Sequence, residues 1–152
     1  MFIVKVCRVF EKYNIPYAIV GGHAVNLHGA IRGTMDIDFI IKWSIESLSN
    51  CEKALNEIGL ISRIPVKAKD IYEFKDEFIR NKNMIAWNFI NPSDPSEQID
   101  IIITTSLNNQ KTINKRIKGF DVKVINKKDL IKMKKLSGRE QDLVDIDALE
   151  KL

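Results

Sequence analysis

One stretch of the chain constrains its fold most strongly: residues 18–41, with the sequence AIVGGHAVNLHGAIRGTMDIDFII. A short apolar run ends in a Gly-Gly pair, a helix-like segment follows, and an Asp-Ile-Asp triplet leads into a second apolar run. Side chains two residues apart on a strand point to the same face, so Asp36 and Asp38 are expected to project together. Ile37 and Phe39 then enter a core, and the pattern predicts two strands connected through a turn and a short helix.

Two convergent carboxylates repel each other unless a cation or a proton offsets the repulsion. Carboxylate oxygens suit Mg²⁺ or Mn²⁺, whereas zinc favours nitrogen and sulfur ligands. Asp36 and Asp38 therefore predict a divalent-metal site. The alternative is a pair of acids that only solubilises the end of a strand, although acids are depleted in strands.

Length and composition predict one globular domain that spans residues 1–152, because 45% of the residues are hydrophobic and 29% are charged. No apolar stretch reaches the length of a membrane span, and the first residues, MFIVKVCRVFEKY, lack a signal-peptide core. We therefore expect a cytoplasmic protein with no membrane partner. Cys7 and Cys51 form no metal-type cluster in the sequence and are expected to be reduced and packed.

The chain carries a net charge of +4, which favours an anionic partner such as a nucleoside triphosphate or RNA. Most of the excess positive charge lies between Lys111 and Lys135. A solvated helical face is the alternative interpretation of these residues.

Hydrophobic periodicity predicts the other elements. Helices are expected over residues 2–13, 23–29, 45–58, 106–117, 127–137 and 139–151. Strands are expected over residues 17–20, 36–41, 60–64, 84–90, 98–105 and 120–125, with a polar turn at 91–96 and a short helix or loop at 66–82. The last helix is expected to bury Leu143, Ile146 and Leu149. This order predicts an α/β (α+β) fold in which helices flank a small mixed sheet and form the C-terminal end.

The Gly-Gly pair suggests a phosphate site, because Gly21 and Gly22 let the backbone approach a ligand at the start of a helix whose N–H groups are unpaired. Arg32 and Thr34 lie between this turn and the aspartates. Together the two motifs predict one site, in which the Gly-Gly turn holds a triphosphate and the Asp-Ile-Asp triplet holds the metal. Arg32 has two interpretations, a contact with substrate or an ion pair with Asp36.

Asp100 lies in the otherwise apolar run QIDIIITT at residues 98–105, where an unpaired acid needs a reason. If this strand pairs beside residues 36–41, Asp100 completes a three-acid site for two metal ions about 3.5–4 Å apart. It is then also a candidate base for an acceptor hydroxyl. The alternative is an acid that pairs with a structural arginine.

These motifs, with DLIKMK at residues 129–134 and GREQDLVD at 138–145, resemble the nucleotidyltransferase superfamily with the DNA polymerase β-like fold. The ending is similar to that of small prokaryotic members such as the AbiEii-like toxin nucleotidyltransferases. The resemblance extends from about Tyr17 to Leu149 and implies the minimal nucleotidyltransferase fold.

The resemblance implies transfer of a nucleoside monophosphate from a nucleoside triphosphate to an acceptor hydroxyl, with release of pyrophosphate and with Mg²⁺ or Mn²⁺ as cofactor. It makes Asp36, Asp38 and Asp100 the catalytic residues and metal ligands. The phosphate- and nucleotide-binding residues that it implies are Gly21, Gly22, His23, Arg32, Thr34, Lys134, Arg139 and Asp142. Asp142 is expected to orient Lys134 or Arg139, for which exposed helix charges are the alternative.

His23 stands where the family often has a serine that contacts the triphosphate, and a packing role is its alternative interpretation. The acceptor stays open between RNA, tRNA or a protein, as in a toxin-like enzyme, and an antibiotic of the aminoglycoside or lincosamide type. A non-catalytic member that binds a nucleotide or a partner protein is the third hypothesis. The partners left open are a second copy of the chain and a cognate antitoxin.

Overall fold

A computed structural model describes residues 1–108 and 110–152. The helices in this part of the chain are α1 (Phe2–Lys12), α2 (Gly21–Leu27), α3 (Ile45–Glu57), α4 (Ala68–Glu73), α5 (Lys75–Lys82), α6 (Lys127–Ser137) and α7 (Glu140–Glu150). The strands are β1 (Tyr17–Val20), β2 (Ile37–Ile41), β3 (Ile61–Ser62), β4 (Ala86–Asn91), β5 (Asp94–Ile102), β6 (Thr112–Ile117) and β7 (Phe120–Ile125).

The strands form one mixed sheet in the order β3-β4-β5-β2-β1-β7-β6. Strand β2 lies at its centre, antiparallel to β1 and parallel to β5. Strand β1 pairs in parallel with β7, whereas β4 and β6 join the sheet as antiparallel hairpin partners of β5 and β7. The two segments that carry the predicted aspartates are therefore neighbouring strands.

The two faces of the sheet have different coverings. Phe10 of α1 packs against Tyr17 and Phe39, with ring centroids 5.6 and 5.1 Å away, so α1 covers the face to which these residues point. Helix α3 packs on α1, and α4 packs on α3. The opposite face carries the Asp38 side chain, because neighbouring residues of a strand alternate between faces. On this face α6 borders the sheet and α7 packs on α6.

The predicted helix over 106–117 is wrong. Residues Thr112–Ile117 form β6, which pairs with β7 through a two-residue turn at Lys118 and Gly119. Both turn residues have positive φ angles, 48° and 80°, as a tight hairpin turn of this kind requires. Burial alternates along this segment, since Ile113, Lys115 and Ile117 are half-buried while Asn114 and Arg116 are exposed, which is a strand period. Asn109 belonged to the predicted helix and lies outside the described residues.

Other predicted elements are close to those observed. The 66–82 segment forms α4 and α5, and the 91–96 turn is shorter than expected because β5 begins at Asp94. In α7, Ile146 and Leu149 are buried as predicted, but the burial predicted for Leu143 is wrong, since this residue is 60% exposed. The α/β class with a helical C-terminal end is confirmed. None of the helices in the described residues has the length and hydrophobicity that a membrane span requires.

Candidate active site

The Gly-Gly turn lies directly against the aspartate-bearing strand. Gly21 has a φ of +66°, and a side chain there would collide with the Asp38 carboxylate. A side chain at Gly22 would approach Thr34 within 2.8 Å and the Arg32 guanidinium within 2.9 Å. Both glycines are therefore required by close packing between the start of α2 and the segment that leads into β2.

Asp38 and Asp100 occupy paired positions on the parallel strands β2 and β5. Residues paired in this way share a face of the sheet, so both carboxylates lie on the α6 side while the adjacent Phe39 and Ile101 are buried on the other. Asp36 lies just before β2, two residues from Asp38. We call Asp36, Asp38 and Asp100 the acid cluster.

The acid cluster is electrostatically unfavourable as it stands. Burial, and then the nearby Asp100 and Asp36 carboxylates, raise the pKa of Asp38 from 3.8 to about 7. Burial and Asp100 also raise the pKa of Asp36, although Arg63 and His23 oppose the rise. A carboxylate whose pKa rises in this way favours a proton or a bound cation. The cluster therefore has the electrostatics of a cation-binding site.

The chemistry of these side chains fits Mg²⁺ or Mn²⁺, since all three supply carboxylate oxygens and Asp38 is held against a turn that only glycine permits. Within residues 1–108 and 110–152, no three histidine, cysteine or acidic side chains already stand in metal-coordinating geometry. The aspartates are thus neighbours whose mutual repulsion is unrelieved, rather than a formed cage.

A second group of charges lies on the C-terminal helices, and here acids and bases are matched. The Lys134 Nζ atom of α6 lies 2.8 Å from Asp145 Oδ2 and 3.5 Å from Asp142 Oδ1 of α7. Arg32 Nε lies 3.2 Å from Asp145 Oδ1, and Arg139 Nε lies 3.1 Å from Asp142 Oδ2. We call these five residues the ion-pair network.

The ion-pair network lowers the pKa values of its acids. Burial raises the pKa of Asp142, but hydrogen bonds from Ser137 and Arg139 outweigh it and hold the value at about 2. Burial also opposes the charged form of Asp145, yet Lys134, Gln141 and Arg32 lower its pKa. These two aspartates remain charged because their cations are already present.

The structure shows the contacts of several predicted site residues. The Arg32 guanidinium pairs with Asp145 rather than with Asp36, so the ion-pair alternative named the wrong acid. Lys134 is buried, whereas Arg139 is 70% exposed, which makes only Arg139 an exposed helix charge. Asp142 contacts both of these basic residues, whereas the expectation was that it orients one of them.

The two histidines make backbone contacts. His23 Nε2 lies 3.3 Å from the Met35 carbonyl oxygen, beside the acid cluster. His28 Nε2 donates to the Ile125 carbonyl oxygen at 2.7 Å, and burial lowers its pKa. His28 therefore ties the end of α2 to β7, which agrees with a packing role.

A cleft of about 400 Å³ lies between the sheet and α6. Its wall includes the predicted site residues Gly21, Asp38, Lys134, Arg139 and Asp142. Its apolar part comes from β5, the segment before β4, and α6, namely Ile85, Ile102, Leu130, Met133 and Leu136. A wider depression of about 500 Å³ beside α1 is lined by other residues, among them Lys5, Arg8 and Glu57.

Three predicted residues outside the cleft wall lie next to residues of that wall. Gly22, Arg32 and Thr34 pack together beside Gly21, and Arg32 reaches the cleft residue Lys134 through their shared partner Asp145. Asp38 of the acid cluster, Gly21 and the buried Lys134 thus line one cavity that is large enough for a small ligand.

Two residues of the site were missed by the sequence reasoning. Asp145 joins Lys134 to Arg32, and its position three residues after Asp142 on one helix face was the available signal. Asn88 on β4 donates from Nδ2 to Asp100 Oδ1 at 2.8 Å. Its only sequence signal is a polar residue within a strand of mainly apolar residues.

Comparison with solved structures identifies the fold. The solution structure of the antibiotic-resistance factor ANT(2'')-Ia aligns over 97% of this chain and 80% of its own, with a TM-score of 0.66 and 12% identity. Lincomycin-bound LnuA, a lincosamide antibiotic adenylyltransferase, aligns over 98% of this chain and 94% of its own, with a TM-score of 0.62 and 15% identity. The chain therefore has the nucleotidyltransferase fold.

A third similar structure is an antigenic nucleotidyltransferase-like protein from Paracoccidioides brasiliensis. It aligns over 97% of this chain and 74% of its own, with a TM-score of 0.61 and 18% identity. No family model matches the chain, and no curated protein matches it significantly by sequence. At these identities the likeness defines the architecture, and the chemistry has to be argued from the site.

Proposed function

We propose that this protein is a metal-dependent nucleotidyltransferase, which transfers a nucleoside monophosphate from a nucleoside triphosphate to an acceptor hydroxyl and releases pyrophosphate. The observation that carries the proposal is the pairing of Asp38 with Asp100 beside the Gly21 turn. Burial and the neighbouring acids raise the pKa of Asp38 to about 7, which supports a site that completes itself by binding a cation.

The acid cluster holds the metal and is where the reaction takes place. Asp36, Asp38 and Asp100 would hold Mg²⁺ or Mn²⁺, which would supply positive charge to offset the charge of the triphosphate and of the leaving pyrophosphate. Asp100 accepts the proton of the acceptor hydroxyl. The oxygen of that hydroxyl bonds to the α-phosphorus, and the bond between the α-phosphorus and the pyrophosphate oxygen breaks. The Gly21-Gly22 turn gives the phosphates access to the backbone beside Asp38.

The cleft holds the nucleotide. Its apolar wall, which includes Ile102 and Met133, suits a nucleoside, and the cations Lys134 and Arg139 suit a phosphate chain. Arg139 is largely exposed and available to a ligand, whereas Lys134 is held by Asp145 at 2.8 Å. Binding energy in this arrangement comes mainly from positioning and electrostatics.

For the acceptor we propose RNA, in a cytoplasmic, toxin-like role, because the chain has a net charge of +4. An antibiotic acceptor is the second candidate, since similar structures include ANT(2'')-Ia in complex with adenylyl-2''-tobramycin and lincomycin-bound LnuA. The toxin-like role also allows a protein as the acceptor. Its binding partners would be a second copy of the chain or a cognate antitoxin.

The proposal is tested by incubating the protein with each α-labelled nucleoside triphosphate, Mg²⁺ or Mn²⁺, and one of three acceptors: total RNA, total protein, or an aminoglycoside and lincosamide panel. We expect the label to reach one acceptor class, with pyrophosphate released in equal amount. Asp38→Asn and Asp100→Asn should each lower the rate at least about 100-fold.

Asp147→Asn is the matched control, because Asp147 is an exposed aspartate whose partner Lys151 lies on the same surface helix. It should transfer label at the wild-type rate. Metal-dependent nucleotide binding without any transfer, unchanged by Asp100→Asn, would support the non-catalytic alternative. Absence of both metal binding and transfer would reject the proposal.

A further inference from the structure

Asn88 occupies a conspicuous place next to the acid cluster. It lies on β4 directly opposite Asp100, which in turn lies opposite Asp38, so three polar residues form a row across β4, β5 and β2. The residues of β4 that share its face, Ala86 and Ile90, are apolar. A polar side chain therefore enters this face of β4 at the position that pairs with Asp100.

The orientation of the Asn88 amide is fixed by its neighbours. Nδ2 donates to Asp100 Oδ1 at 2.8 Å and to the Ile99 carbonyl oxygen at 3.2 Å. Both partners are acceptors, so a flipped amide would place oxygen against oxygen. In the observed orientation Asn88 Oδ1 is buried and has no hydrogen-bond partner among the described residues.

A buried amide oxygen without a partner is unfavourable, and an apolar side chain of similar size would avoid it. Asn88 supplies a hydrogen bond to Asp100 that a leucine at this position would not supply. A carboxylate held through one oxygen has fewer orientations open to it, so its other oxygen is presented to a ligand at a lower entropic cost. Residues that orient metal-binding carboxylates through such hydrogen bonds change metal affinity about 10- to 100-fold when removed.

We propose that Asn88 is a positioning residue that orients the Asp100 carboxylate for the divalent metal and for the acceptor hydroxyl. This inference rests on the proposed function. It assigns to Asn88 no contact with substrate, since its effect passes entirely through Asp100.

The test compares Asn88→Leu with Asn91→Leu. Asn91 lies in the same β4–β5 hairpin and donates from Nδ2 to Glu97 Oε1 at 2.9 Å, so its replacement removes an equivalent amide–carboxylate hydrogen bond away from the acid cluster. Free Mn²⁺ is measured by electron paramagnetic resonance while Mn²⁺ alone is titrated into each protein. Thermal unfolding is measured with and without Mn²⁺, and transfer kinetics with nucleoside triphosphate complete the comparison.

We expect Asn88→Leu to weaken Mn²⁺ binding about tenfold and to lower kcat about tenfold, with the KM for nucleoside triphosphate changed less than twofold. Asn91→Leu should retain wild-type values for all three. Asn88→Ala, a smaller change, should reproduce the loss of Mn²⁺ affinity and of Mn²⁺-dependent thermal stabilisation if the leucine variant folds poorly.

Equal Mn²⁺ affinity and kcat in the wild type, the Asn88 variants and Asn91→Leu would overturn the role of Asn88 and leave the proposed function standing. A wild-type protein that binds no Mn²⁺ and transfers no nucleotide would overturn both. A large fall in melting temperature for Asn88→Leu with unchanged Mn²⁺ affinity would make Asn88 a structural residue only, which also rejects the inference.

Discussion

The acid cluster and the ion-pair network both contribute aspartates to the wall of one cleft, but they shift the pKa values of these aspartates in opposite directions. In the acid cluster, Asp38 faces other carboxylates and its pKa rises to about 7. In the ion-pair network, Asp142 contacts Lys134 and Arg139, and its pKa falls to about 2. Burial opposes the charged form in both places, so the difference comes from the partners.

This difference shows where the chain uses its basic residues. Asp142 and Asp145 of α7 are paired with the protein's own cations, and Asp145 also holds Arg32 in the segment before β2. Arg63 and His23 act on Asp36, and Lys134 acts on Asp38, but the acid cluster makes no ion pair within the described residues and the pKa values of both acids stay raised. Under the proposed function, stability and metal binding therefore depend on different carboxylates.

The strongest way to break the comparison is to remove the cation of the ion-pair network. Lys134→Met leaves Asp142 and Asp145 buried beside each other with fewer partners, so we expect a loss of about 4 kcal/mol in the free energy of unfolding, measured by urea denaturation. Lys135→Met is the control, because Lys135 is exposed. It should change the stability by less than about 0.5 kcal/mol. Equal effects of the two substitutions on the free energy of unfolding would mean that Lys134 does not stabilise the fold through Asp142 and Asp145.

A second test places a methyl group in the glycine turn. Gly21→Ala combines a positive φ with a collision against Asp38, and we expect about 3 kcal/mol of destabilisation and loss of transfer. Gly119→Ala has a similar φ of +80° with open space around it, so it should lose only about 1 kcal/mol and retain activity. Similar values for both variants would show that the approach of Gly21 to Asp38 is unimportant.

A third test uses pH to sharpen the comparison. The unfolded chain releases the Asp38 proton near pH 3.8, whereas the folded protein retains it until about pH 7. The wild type should therefore lose stability between pH 4 and pH 7 in buffer with EDTA, and Asp38→Asn should be more stable at pH 8 by about 2 kcal/mol. The free energy of unfolding from urea titrations at each pH measures this.

The ion-pair network should show the opposite pH dependence. The folded-state pKa of Asp142 is depressed to about 2, so its stabilisation is present above pH 4 and is lost as the pH falls through 2. Asp147→Asn, which removes an exposed acid, should follow the wild-type curve throughout. A wild-type stability that rises between pH 4 and pH 7, with no gain from Asp38→Asn, would contradict the assigned repulsion.

The smallest effect is expected at the exposed rim of the ion-pair network. Arg139 is 70% exposed, and Arg139→Ala should lower stability by no more than about 0.5 kcal/mol because solvent screens its pair with Asp142. The KM for nucleoside triphosphate should rise severalfold if Arg139 contacts phosphate. Lys132→Ala, at an exposed position of α6, is the control for both measurements. An unchanged KM would remove Arg139 from the nucleotide site.

The local part of the fold was predictable because residues 18–41 combine strong signals. A Gly-Gly pair, an apolar run on each side and two acids at strand spacing predict β1, α2 and β2 within one or two residues. Strand β6 was missed because the four-residue spacing of Ile113 and Ile117 in TINKRI also fits a helix, and only the glycine at the 118–119 turn marks the hairpin. Leu143 was misplaced because a helical period does not state which of several apolar residues faces the core.

The long-range part of the site was not predictable in the same way. The acids were proposed from resemblance and spacing, but the partner of Arg32 is 113 residues away and Asn88 acts across a strand pair. Such contacts depend on strand order and helix packing, which one sequence does not encode locally. A polar residue opposite an acid on a neighbouring strand is visible only once the register is known.

The pair between Arg32 and Asp145 has a consequence for how the protein is made. Arg32 leaves the ribosome 113 residues ahead of the carboxylate that will receive it. Until then the Arg32 guanidinium lacks this partner. This corner of the cleft is therefore complete only after α7 has been synthesised, however early the glycines and aspartates of residues 21–38 were made.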